Sequence, residues 1–140
     1  MTIPYIVLVV DDDENLNQII AETLMAAGYE VQTAHNGLHG YLAYSQHHPD
    51  VVLTDIQMPE LDGLEMMRCI RASNPNVKTI YISGAVRQYR DVLARESKDF
   101  GAGVLSKPFS RNDLLKSVAA VATASRTHSE SSESLGSLVF

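Results

Sequence analysis

Four consecutive acids, Asp11, Asp12, Asp13 and Glu14, follow directly on the apolar run Tyr5–Val10. Asp55 closes a second apolar run that begins at Val51, Ser83 closes a third that begins at Thr79, and Lys107 follows a short fourth, Val104–Ser106. Three carboxylates sharing one crevice repel one another and are costly to keep ionised without a cation. Mg²⁺ suits such a set, because it takes hard oxygen ligands and keeps several of its waters, and its charge holds carboxylates ionised at neutral pH. An ammonium and a short hydroxyl beside the acids supply what is needed to hold the equatorial oxygens of a transferring phosphoryl group. An aspartate can itself be the nucleophile and become an acyl phosphate. Asp55 is the candidate, with Asp11 and Asp12 on one side and Lys107 on the other. Asp13 and Glu14 belong instead to the start of a helix, where acids suit the dipole.

That chemistry requires the four chain segments to end in the same place. Tyr5–Val10 is continuous and rich in β-branched residues, the pattern of a strand buried on both faces. Leu16, Ile19, Ile20, Leu24 and Ala27 then recur at helical spacing up to Gly28. Glu30–Ala34 is a weaker strand, and Leu38, Tyr41 and Leu42 mark a helix that ends before Pro49. Val51–Asp55 is a third strand. Gly63 opens a helix carrying Leu64, Met67, Ile70 and Arg71, which the Asn74–Pro75 step closes. Thr79–Ser83 is a fourth strand, Arg87–Phe100 a weakly patterned helix, and Val104–Ser106 a fifth strand. Ser110 with Asp113 forms a variant capping box ahead of Leu114, Leu115, Val118 and Val121. Five strands alternating with five helices predict an α/β fold with a parallel sheet covered on both faces, and ligands then bind beyond the carboxyl ends of the strands.

Composition narrows the partners. The chain has 140 residues, 45% of them apolar and 20% charged, with a formal net charge of -6. That is ordinary for one soluble globular domain. The acidic balance and the lack of a Lys/Arg run argue against direct nucleic-acid binding. No apolar stretch approaches the roughly 20 residues needed to span a membrane, and no signal peptide is apparent. The single cysteine, Cys69, excludes an internal disulfide and is read as a buried, inert thiol. The chain therefore reads as cytoplasmic. From Thr123 the composition turns to Ser and Glu, so residues 1–122 read as the folded domain and 123–140 as a flexible tail or linker. Its last residues, Leu138, Val139 and Phe140, are apolar and could dock or begin a further domain. His35, His39, His47 and His48 have no ligand spacing and are expected at the surface. Tyr41 and Tyr44 are expected partly buried.

The segments V-L-V-V-D-D-D-E-N, V-V-L-T-D-I-Q-M-P-E-L-D-G-L, I-Y-I-S-G-A and G-A-G-V-L-S-K-P-F, in that order between about residues 5 and 122, resemble the receiver domain of two-component response regulators. The resemblance implies a flavodoxin-like, doubly wound (βα)₅ fold. It implies that Asp55 accepts a phosphoryl group from a phosphohistidine on a sensor histidine kinase or histidine phosphotransfer protein, with Mg²⁺ as cofactor. Asp12 and Asp55 would ligate the metal directly, Asp11 through water, and Gln57 through its backbone carbonyl. Lys107 would contact the phosphate and Ser83 would be the switch hydroxyl, with a cis Lys107–Pro108 bond. The domain would assist its own phosphorylation and dephosphorylation rather than turn over a substrate. Its output surface would be the fourth helix, fifth strand and fifth helix, read by a protein target or a missing output domain. Gln57 and Ala85 occupy the positions that tune phosphoryl lifetime in the family.

One position departs from the pattern. Val104 stands where family members often carry a Tyr or Phe that turns inward with the switch hydroxyl. Two other functions compete. A haloacid-dehalogenase-type phosphatase would use Asp11 and Asp13 as its D-x-D pair and be phosphorylated on Asp11, although Asn15 stands where that motif expects Thr or Val. Alternatively, the chain is the regulatory fragment of a transcription factor or hybrid sensor kinase, with the Ser-rich segment as its linker.

Overall fold

The computed structural model describes residues 5–134, with side chains as far as Thr123. Five strands, β1 (Ile6–Val10), β2 (Glu30–Ala34), β3 (Val51–Asp55), β4 (Lys78–Ser83) and β5 (Gly103–Ser106), alternate with α1 (Glu14–Ala26), α2 (Gly37–His47), α3 (Gly63–Ser73), α4 (Arg90–Phe100) and α5 (Arg111–Ser134). All strand pairs are parallel, in the order β2-β1-β3-β4-β5. The chain winds outwards in both directions from the β1–β3 pair, which creates a crevice between the loops leaving those two strands.

The continuous apolar runs are buried on both faces, as a covered parallel sheet demands. One face packs Leu8, Val10, Val52 and Tyr81 under α2 and α3, with Met66, Met67 and Ile70 filling the space between. The other packs Val7, Val9, Leu53, Ile80 and Ile82 under α1 and α5, through Ile20, Leu24, Leu114 and Val118. Helices α1, α3 and α5 are started by side-chain caps. Asp13 caps α1 by accepting from the amides of Asn15 and Leu16, Asp62 and Glu65 form a capping box on α3, and Ser110 and Asp113 bond reciprocally at the head of α5.

Two sequence expectations need correction. Helix α4 begins at Arg90 rather than Arg87, because no capping side chain precedes it and residues 85–90 close instead through tighter turns, with Gln88 N–H on Ala85 O and Arg90 N–H on Arg87 O. Cys69 is exposed. Met66, Met67 and Ile70 define the buried stripe of α3, and position 69 falls on its solvent side. The backbone of α5 runs on to Ser134 and so into the Ser- and Glu-rich segment. Ala119, Ala120, Ala122 and Ala124 are the strongest helix formers and propagate it. Leu138, Val139 and Phe140 lie outside the described residues. The four histidines noted above are exposed, while Tyr41 is half-buried and Tyr44 buried.

Candidate functional site

The sheet register brings the acids together. Val10 pairs with Thr54 across β1 and β3, so Asp11 and Asp55 follow side by side at the carboxyl rim. Asp11, Asp12 and Asp55 each present a carboxylate oxygen within 4.8 Å of the others. Asp11 is fully buried, Asp55 nearly so, and Asp12 exposed. Lys107, in the loop after β5, reaches across: its Nζ lies 3.3 Å from Asp55 Oδ2 and 3.6 Å from Asp11 Oδ2.

One lysine does not balance three acids. Burial pushes the Asp11 carboxyl above its ordinary value of 3.8, and the neighbouring Asp55 charge adds to that. Burial likewise raises Asp55, against the opposing pull of Lys107. For Lys107 itself burial acts downwards, but Asp11 and Asp55 outweigh it and the net direction is upwards. Asp11 Oδ2 is buried without a hydrogen bond. A buried carboxylate oxygen with no hydrogen bond, in a group of three acids with one lysine, fits a hard divalent cation, whose charge would answer the imbalance.

Backbone contacts hold these side chains in place. Gly63 N–H donates to Ile56 O at 2.9 Å, and a Cβ at position 63 would lie 2.1 Å from the Asp55 carbonyl oxygen. Asp62–Gly63, which reads from sequence as a turn and helix entry, is therefore also what lets α3 close against the end of β3. Asn17 is buried in α1 and its amide donates to the carbonyls of Asp11 and Ala34 at 3.2 and 2.8 Å. Sequence reading missed it, although a short amide on the stripe of residues 17, 20, 21 and 24 was the available signal.

The remaining predicted residues ring the crevice. Ser83 is buried at the end of β4, where its hydroxyl oxygen accepts from the Ala85 amide at 2.9 Å. Its carbonyl accepts from Lys107 N–H, also at 2.9 Å, which ties the ends of β4 and β5. The Lys107–Pro108 peptide is cis, as the resemblance implied. Gln57 is exposed in the loop after β3, and Val104 is exposed on β5. Asp13 does not join the acids: it caps α1, and its amide donates to Asp11 Oδ1 at 2.9 Å. The D-x-D pair required by the phosphatase reading is thus split between crevice and helix cap. Beside Lys107, an apolar groove of about 460 Å³ runs between α1 and the loop into α5, lined by Leu16, Ile19, Ile20, Pro108 and Phe109.

An acid triad and a lysine at the carboxyl rim of a doubly wound parallel sheet define a class of signalling domain, and the comparison with known families agrees. Residues 7–119 match the response regulator receiver domain, and the chain belongs to that family. Among curated relatives, it is 32% identical over 112 residues to the response regulator receiver protein CpdR of Brucella abortus, covering 80% of this chain and 92% of that protein. It is 31% identical to the response regulator MprA of Mycobacterium avium, covering 78% of this chain but only 47% of that longer protein. Among solved structures, the response regulator TrrA of Thermotoga maritima, in complex with Mg²⁺-BeF, superimposes with a TM-score of 0.73 at 31% identity, over 83% of this chain and 97% of that one. Among the described residues, no helix is long and apolar enough to cross a membrane.

Proposed function

We propose that this receiver is phosphorylated on Asp55 by a phosphohistidine of a sensor histidine kinase or histidine phosphotransfer protein, in a Mg²⁺-dependent reaction in the cytoplasm. The observation that carries the reading is that Asp55 is the acid of the triad within hydrogen-bond distance of Lys107, at 3.3 Å. Asp11, Asp12, Asp55 and the backbone carbonyl of Gln57 would hold the metal. When bound, Mg²⁺ supplies positive charge that keeps the acids ionised and offsets the charge on the phosphoryl oxygens.

The chain's own residues divide the remaining work. An Asp55 carboxylate oxygen attacks phosphorus, the P–N bond of the donor breaks, and its electron pair returns to the imidazole nitrogen. Lys107 Nζ stays at the phosphoryl oxygens and answers their charge. Ser83, whose hydroxyl now accepts from the Ala85 amide, gains a strong acceptor on Asp55. Turning to donate to it releases the bond that holds the following loop. The same groups serve hydrolysis of the acyl phosphate, so the domain assists both its own phosphorylation and its dephosphorylation. The apolar groove with exposed Ile19, opening beside Lys107, is the nearest surface on which a donor protein could rest while its histidine reaches Asp55.

Residues 1–122 are the receiver in this reading, and 123–140 a tail or linker. The output is a protein contact, with no nucleic acid bound by this domain. The length difference from MprA favours a second reading, in which this chain is the regulatory fragment of a larger regulator or hybrid kinase. Coding sequence beyond Phe140 decides between the two.

Intact mass after incubation with acetyl phosphate tests the chemistry. Wild type should gain one phosphoryl group only with Mg²⁺, and Asp55→Asn should gain none. A gain that survives in the variant removes Asp55 from the mechanism.

A further inference from the structure

Helix α4 is thinly attached. Leu93 is its one buried residue, and its first residue lacks a side-chain cap. Beside Leu93, which packs into the core, its hold on the rest of the domain is polar. Glu96 Oε1 accepts from Arg71 Nη1 on α3 at 2.7 Å and from the Tyr81 hydroxyl on β4 at 2.5 Å. The Arg71 guanidinium lies 3.7 Å from the centre of the Phe100 ring, one turn further along α4, a stacked cation–π contact. This is a sheltered pair, with 9% of the Arg71 side chain and 15% of the Glu96 side chain exposed. Nε and Nη2 of Arg71 have no hydrogen bond of their own, so the guanidinium depends on α4 as much as α4 depends on it. Burial, then the bond to Glu96, raises the Tyr81 hydroxyl pKa, which keeps it a donor.

We infer that Arg71, Glu96 and Tyr81 form a clamp that fixes the position of α4 and ties it to the strand that carries Ser83. Tyr81 and Ser83 are two residues apart on β4 and so face the same side of the sheet. Tyr81 is also the register partner of Val104 on β5. The aromatic side chain absent at position 104 thus has a buried neighbour one strand away, already bonded to α4. Movement at Ser83 is transmitted through two residues of strand to a hydroxyl that grips the helix. The link to switching rests on the receiver reading given above; the clamp on α4 does not.

Amide hydrogen exchange of the full chain tests both parts, with wild type, Tyr81→Phe and Glu96→Gln. Both variants keep side-chain shape: Tyr81→Phe removes the hydroxyl that donates to Glu96, and Glu96→Gln keeps an acceptor oxygen but removes the charge that pairs with Arg71. Without phosphoryl donor, amides of Arg90–Phe100 should exchange about tenfold faster or more in each variant, the scale of losing a hydrogen bond to a charged group, while amides of β1 and β3 stay protected. Unchanged α4 exchange in both variants would overturn the clamp. With acetyl phosphate and Mg²⁺, wild-type α4 should exchange faster than before, and Tyr81→Phe should add less than twofold to its already raised rate. A variant that responds as fully as wild type would overturn the link to switching. If wild type takes up no phosphoryl group, the receiver chemistry fails, and the donor-free comparison still decides the clamp.

Discussion

Asp11 and Glu96 are both sheltered carboxylates, yet they stand in opposite electrostatic situations. Glu96 meets a guanidinium and a phenol on a single oxygen, and the charges there balance. Asp11 meets two more acids and shares one ammonium with Asp55, and one of its oxygens has no hydrogen bond. A balanced cluster serves the fold that contains it. An unbalanced one raises the energy of the isolated domain and is stabilised by what it binds, which in the proposed function is a cation and then a phosphoryl group. Acidic residues in a crevice can be sorted in this way by whether the protein answers their charge itself.

The sharpest way to break this comparison is to remove one carboxylate from each cluster and follow stability. Glu96→Ala should destabilise by about 3 kcal/mol, because it leaves the sheltered Arg71 charge unpaired. Asp11→Asn, without divalent cation, should stabilise by about 1 kcal/mol, the size usual for relieving unfavourable charge. Denaturant midpoints at neutral pH check both, and a loss of stability in Asp11→Asn would contradict the account of the crevice.

Mg²⁺ sharpens the contrast. A ligand that binds only the folded state adds about 1.4 kcal/mol at ten times its dissociation constant. Thermal melts with increasing MgCl₂ should show that rise in wild type, a much smaller one in Asp11→Asn and Asp55→Asn, and an undiminished one in Glu96→Gln.

The smallest expected effect is on pH dependence. Asp11 and Asp55 both titrate above the ordinary 3.8 in the folded chain, so between that value and their raised ones the native state binds more protons than the unfolded chain. Their contribution to stability therefore falls as pH rises through this window and grows as pH falls through it. Without Mg²⁺, the wild-type minus Asp11→Asn difference in melting temperature should become less negative on acidification from neutral pH. Saturating Mg²⁺ should flatten that slope.

Most of the scaffold was legible because β1, β3 and the middle of β4 are apolar runs and because α1, α3 and α5 open on capping residues. β2 and β3 have the expected bounds, and Asn74 ends α3 as the Asn–Pro step suggested. The carboxyl-rim rule made Asp11, Asp55, Ser83 and Lys107 candidates before any geometry was available. The clamp was not legible, because Arg71, Glu96 and Tyr81 share no motif and meet only through packing. Asn17 and the second role of Gly63 were hidden for a similar reason: each supports the backbone of an acid rather than offering a functional group. Exposure of Cys69 turned on a helical phase that M-M-R-C-I leaves ambiguous, and the length of α5 on a run of alanines, Ala119, Ala120, Ala122 and Ala124, that leads into the stretch whose Ser and Glu suggested a tail.

Parallel strands give the domain a front and a back. All five point towards the acid crevice, and each following helix must run back the other way to begin the next strand. Helix α5 starts at Arg111, next to Lys107 and Pro108, and its buried residues Leu114 and Val118 descend the sheet face away from them. The chain therefore leaves the domain at the rim opposite its chemistry. Anything joined after α5 starts life out of sight of Asp55, with the flank of the domain, rather than the crevice, as its window on the state of the site.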